Sequence, residues 1–150
     1  MLIIFDCDGV LRKTSHQIIF EAYLEIFKAL GKNYQDYFTN IEEFKIWWRT
    51  DWHLQDKILK LNQKEVKMKN EVFHKYYDRR TYLFPWVRTV FSELSAKHTL
   101  AVFSASLKIS VETTLKPVRN YLKSVVCFDD IEKTKPDPEG IYFIFIYLFI

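Results

Sequence analysis

Glycine is scarce, at three of 150 residues. Phosphate-cradling loops of the P-loop and dinucleotide type need two or more glycines at fixed spacing, so both are excluded. Cysteine is scarcer still. Cys7 and Cys127 stand far apart, with no short spacing that would indicate zinc or a redox pair. Each lies in or beside an apolar run, and both read as buried free thiols of a reducing compartment, which points to the cytoplasm. Long apolar runs are also lacking. Residues 2–5 are too few for a signal peptide and end in Asp6. Residues 141–150 fall well short of the ~20 that a membrane helix needs, so no membrane partner is expected. Nor does charge of one sign dominate: 22 Lys+Arg stand against 19 Asp+Glu, a net of +3. Residues 12–84 hold 14 basic and 10 acidic side chains, and the remainder holds 8 and 9. That excess could draw an anionic ligand but is too slight for a nucleic-acid surface.

What is present is apolar and aromatic. Hydrophobic residues make up 49% and Phe, Trp and Tyr 17% of the chain, the composition of a globular protein of about one domain. At this length roughly two-thirds of the unfolded surface is buried. Leu2-Ile3-Ile4-Phe5 reads as a strand buried on both faces, as in parallel sheets. Residues 16–30 carry Ile19, Phe20, Tyr23, Leu24, Phe27 and Leu30 at helical spacing, stopped by Gly31. Asn40 caps a helix from Ile41, with Glu43 placed for a capping box. Helices are predicted over 51–60 and 62–80. Pro85 marks a boundary, followed by a short helix over 87–94. Residues 99–103 form a second strand, 108–122 a helix that Pro117 must kink or break, and 124–128 a third strand. Strands separated by helices argue for an α/β parallel sheet. Residues 1–14 and 81–150 would form its discontinuous core and 15–80 a helical insert.

Active sites of open parallel sheets lie at the carboxyl ends of the strands. Asp6 and Asp8 follow the first strand, Ser104 follows the second, and Lys135 sits in the loop after the third. Two acids, a hydroxyl and an ammonium at one edge suit a phosphate and a divalent cation, since Mg²⁺ takes few carboxylates together with substrate phosphate. A calcium loop is excluded, because its fifth and twelfth positions are Val10 and Gln17. Arg12, Lys13 and Arg49 read as solvated charges, with contact to a substrate anion as the lesser reading. Trp47, Trp48 and Trp52 read as core of the insert. His16, His53, His74 and His98 lack metal-ligand spacing and read as structural or surface residues.

Asp6-Cys7-Asp8-Gly9-Val10 resembles the first motif of the haloacid dehalogenase-like hydrolases. Ala101-Val102-Phe103-Ser104 resembles the second, and Lys135-Pro136-Asp137-Pro138-Glu139 the third, preceded by a fitting Asp129-Asp130 pair. Leu83-Phe84-Pro85-Trp86-Val87 looks like the family's return from its cap. The insert is similar to the helical cap of the phosphoglycolate phosphatase and β-phosphoglucomutase branch. The resemblance implies a Rossmann-like α/β core with an inserted helical cap that closes over substrate. The family's fourth, acidic motif has no counterpart among residues 141–150, so the core is expected to lack its final strands and the metal one ligand. The implied function is that of a Mg²⁺-dependent phosphatase acting on a small phosphorylated metabolite. Asp6 would be the nucleophile and Asp8 the acid and base. Ser104 and Lys135 would hold the phosphoryl group, and Asp6 with the Asp8 backbone carbonyl the metal. A phosphomutase, or a non-catalytic remnant that keeps the phosphate pocket, are the alternatives. Residues 141–150 are ambiguous: the resemblance implies a helix, their β-branched and aromatic composition a strand.

Overall fold

The structure, a computed structural model, describes residues 1–50, 52–133 and 135–149. It divides into two compact units, residues 1–14 with 81–150, and residues 15–80.

The first unit is built on a three-stranded parallel sheet of β1 (Leu2–Phe5), β4 (Thr99–Phe103) and β5 (Leu122–Val126), in the order β1-β4-β5. Between β1 and β4 the unit also contains β2 (Arg12–Lys13), which pairs antiparallel with β3 (Tyr82–Leu83). This small ribbon was not legible in the sequence, because two-residue strands have no periodicity. Side chains alternate between the faces of the sheet. Ile3, Phe5, Leu100, Val102 and Val125 pack with Val87 and Phe91 of α5 (Val87–Ser95) and Val111 and Leu115 of α6 (Lys108–Leu115). On the opposite face Leu2, Ile4, Ala101, Phe103 and Val126 pack with Ile144 of α7 (Glu139–Phe149). Both faces of β1 are therefore covered, but its residues are only half-buried, since it lies at the sheet edge.

Pro117 breaks the helix that begins at Lys108. The chain continues as a tighter 3-10 segment, Lys116–Tyr121, because proline cannot donate the next helical hydrogen bond. β5 consequently starts at Leu122, two residues earlier than the sequence pattern placed it. Residues 139–149 are helical. Here tertiary packing overrides β-propensity: Ile144 is buried against the sheet while Phe143 and Leu148 pack beside it.

The second unit is helical: α1 (His16–Ala29), α2 (Ile41–Trp48), α3 (Trp52–Ile58) and α4 (Gln63–Tyr77). The end of α1 is set by Gly31, whose φ of 63° lets Lys32 N–H reach the Phe27 carbonyl at 2.9 Å. Asn40 caps α2 by accepting from Glu42 and Glu43 N–H. The expected capping box is altered there, because the Glu43 carboxylate accepts from Thr39 N–H instead. A reciprocal box does form between Asn62 and Glu65 at the start of α4. The predicted helix start at Asp51 lies outside the described residues. Trp47, Trp48 and Trp52 pack around the buried Tyr23, Phe44 and Phe73, which makes them part of this unit's core.

Candidate active site

The register of β1 against β4 sets Phe5 beside Val102. The residues that follow the two strands, Asp6 and Ser104, thus emerge at the same edge of the sheet. Beyond Phe5 the chain folds back sharply. The Cys7 carbonyl accepts from Leu11 and Arg12 N–H at 2.9 Å each, and Gly9 N–H donates to the Arg12 carbonyl at 2.9 Å. Gly9 sits at φ 77°, a conformation that L side chains adopt only at a cost. This tight loop carries Asp6 and Asp8.

Lys135 comes from the loop after β5. Its Nζ lies 2.8 Å from Asp6 Oδ1 and 4.9 Å from the centre of the Phe103 ring. Asp6 Oδ1 also accepts from Cys7 N–H at 2.8 Å. The Asp6 side chain is 44% exposed, so a phosphate can reach it. Ser104 is fully buried; its N–H donates to the Val126 carbonyl, and its Oγ accepts from Ser106 N–H at 3.1 Å. The structure thus brings Asp6 and Lys135 into direct contact, while Ser104 orders the loop after β4.

The Asp8 carboxylate is engaged through both oxygens. Oδ1 accepts from Arg12 Nε at 2.8 Å and lies 2.7 Å from Nη2 as an ion pair, and Oδ2 accepts from the Ser106 hydroxyl at 2.7 Å. Arg12 is fully buried. This corrects the reading of Arg12 as a solvated charge: the tight loop and the short ribbon turn it inward, where it meets Asp8. Lys13 and Arg49 are exposed. Ser106 was not singled out in the sequence, because it lies in the bend after β4, where no strand alternation indicates its direction.

Loop anchors surround these groups. Asp129 Oδ1 accepts from Lys108 N–H at 2.8 Å, capping α6 from another loop, and Asp130 Oδ1 accepts from Lys108 Nζ at 2.6 Å. That bond, then the charge of the same carboxylate, raises the Lys108 pKa. Glu139 accepts from Glu132 and Lys133 N–H, tying down the loop that bears Lys135. Burial, only partly offset by the Arg12 charge, pushes the Cys7 thiol up to about 12, and burial also raises the Cys127 pKa. Both thiols are free and buried.

Among the described residues no three His, Cys, Asp or Glu side chains gather as a metal cluster. Mg²⁺ does not require one, because it keeps several waters and takes substrate phosphate oxygens. The open Asp6 carboxylate suits that chemistry. No helix among the described residues is long and apolar enough to cross a membrane.

Residues 3–146 match the model of a family described as haloacid dehalogenase-like hydrolase. No curated protein matches the chain. Solved structures resemble it in fold. A candidate β-phosphoglucomutase from Thermotoga maritima is 22% identical with a TM-score of 0.68, covering 99% of this chain and 71% of its own. A haloacid dehalogenase-like protein from Bacteroides fragilis is 17% identical with a TM-score of 0.71, covering 98% and 72%. A candidate phosphoglycolate phosphatase from Lactobacillus plantarum is 18% identical with a TM-score of 0.69, covering 99% and 71%.

Proposed function

Because the chain belongs to the haloacid dehalogenase-like hydrolases, we propose that it hydrolyses a small phosphate monoester through a phosphorylated Asp6, with Mg²⁺ as cofactor. The observation that carries this reading is the 2.8 Å contact between Lys135 Nζ and Asp6 Oδ1 at the carboxyl edge of the sheet. The carboxylate that would attack phosphorus thus lies directly against an ammonium. The same ammonium stands where a phosphoryl group on Asp6 would develop negative charge.

In the first step an Asp6 carboxylate oxygen attacks phosphorus, the bond from phosphorus to the ester oxygen breaks, and a proton held by Asp8 goes to the leaving oxygen. In the second step water attacks the phosphorus of phospho-Asp6 and gives a proton to Asp8. Inorganic phosphate leaves and Asp6 is regenerated. Lys135 offsets phosphoryl charge throughout, and the buried Ser104 orders the loop beside it by accepting from Ser106 N–H. Asp6 and the Asp8 carbonyl would hold Mg²⁺, which when bound would offset charge on the phosphoryl oxygens. A phosphomutase would share the first step and differ in keeping water from phospho-Asp6.

The test is turnover of an aryl phosphate with and without Mg²⁺ by wild type, Asp6→Asn and Lys135→Met. Mg²⁺-dependent turnover, lost in Asp6→Asn and lowered on the order of 10²-fold or more in Lys135→Met, is the expected outcome. A second reading rests on the engaged Asp8 carboxylate: the unit holds phosphate but does not turn it over. A folded wild type that binds inorganic phosphate without hydrolysing ester would establish that reading and discard the first.

A further inference from the structure

A buried arginine is an unusual occupant of a two-residue strand. Acceptors from two segments surround its head. Nε donates to Asp8 Oδ1 and Nη2 lies 2.7 Å from it as an ion pair, while Nη1 donates to Ser110 Oγ at 2.7 Å and to Thr114 Oγ1 at 3.0 Å, with the Ser110 carbonyl at 3.4 Å. Ser110 and Thr114 both lie on α6. Arg12 therefore bridges the loop that carries Asp8 to the helix that follows Ser104 and Ser106. A buried ion pair is a poor device for stability, since apolar side chains of similar volume serve as well or better. Its strength is orientation, because the guanidinium is a planar fork that accepts few geometries.

We infer that Arg12 is a positioning residue that holds Asp8 Oδ1, leaving Oδ2 as the oxygen that meets the leaving group. The inference rests on the proposed phosphatase reading and deepens it. Oδ1 is held by the charged head of Arg12, through a hydrogen bond from Nε and an ion-pair contact with Nη2, and that head is itself pinned to α6. Oδ2 accepts from the neutral Ser106 hydroxyl, which can rotate to another acceptor. The two oxygens are thus unequal, and an incoming ester oxygen displaces the weaker partner. Without the fork the carboxylate turns about its own bonds, and the near-attack geometry is populated less often.

Such a role has a signature that loss of packing lacks. A poor leaving group depends on a well-placed proton donor, whereas an aryl oxide of low basicity leaves with little help. The quantity to measure is kcat/KM for an alkyl phosphate divided by that for p-nitrophenyl phosphate, since it reports the step that forms phospho-Asp6. Arg12→Met is expected to lower this ratio ~30-fold or more, as misplacement by about 1 Å costs on the order of 10²-fold. Ser110→Ala, a mild change that removes one anchor of Nη1, is expected to lower it about threefold, and it keeps the test decisive should Arg12→Met not fold. An unchanged ratio in both variants, or in Ser110→Ala alone if Arg12→Met does not fold, overturns the positioning role while the phosphatase reading stands. A folded wild type inactive on both esters overturns the phosphatase reading, and the positioning role with it.

Discussion

Two cations serve two carboxylates in this site, and their surroundings make them different. Lys135 and Asp6 are partly exposed, with side-chain exposures of 35% and 44%, so their attraction is screened and their value lies in what they do to a phosphate. Arg12 is buried, and removing its partner would leave an uncompensated charge. Cys7 stands beside Arg12 with a thiol pKa raised from 9.0 to about 12, mainly by burial. The folded state therefore keeps a proton that the unfolded state releases near pH 9. Stability from this group is complete below that pH and falls as pH rises toward 12, by at most about 1.4 kcal/mol per unit. Urea denaturation of wild type and Cys7→Ala at pH 8, 9.5 and 10.5 checks this: the wild-type midpoint should fall more steeply. Parallel falls in the two proteins would refute it.

At the scale of elements, α7 shows how one close approach links the fold to the site. Gly140, in its first turn, faces the Phe103 ring, and a Cβ there would overlap ring carbons. The same ring lies beneath Lys135. Gly140→Ala is expected to lower stability by about 1–3 kcal/mol, the range of overpacked cores. That outweighs the ~1 kcal/mol by which Ala favours a helix over Gly. Thermal melting decides the matter, and a variant melting at or above wild type would contradict it. Most element types were legible beforehand because apolar spacing, the Asn40 cap, Gly31 and Pro117 act locally. β2 and β3 were not, because two residues show no period. Nor was the helical state of α7, because every position of residues 141–149 is apolar and the choice between strand and helix fell to the sheet it covers.

Across the molecule, the apolar surface is unevenly distributed. Tyr142, Phe145, Ile146 and Phe149 recur at spacings of three and four on α7 and are all exposed, while Gly140 and Ile144 are buried against the sheet. Contiguous exposed apolar surface promotes association. Replacing Ile146 with Lys and Phe149 with Glu is expected to reduce concentration-dependent light scattering, with Tm shifted by only a few degrees because neither residue is buried. Unchanged scattering would show that this face does not drive association. β1 contributes a second feature of the same kind, an edge strand whose free side meets no other strand among the described residues.

The residues alone carried the α/β class, the helical character of 15–80, and the motif positions of Asp6, Asp8, Ser104 and Lys135, because each is written in local spacing or in a short contiguous run. Their meeting belongs to the fold. Lys135 lies 129 positions from Asp6, and only the parallel register of β1, β4 and β5 brings their loops to one edge. Arg12 was the clearest miss, since nothing local distinguishes a buried guanidinium from a solvated one. That depends on which acceptors the tertiary structure delivers, and here it delivers Asp8, Ser110 and Thr114 from two distant segments.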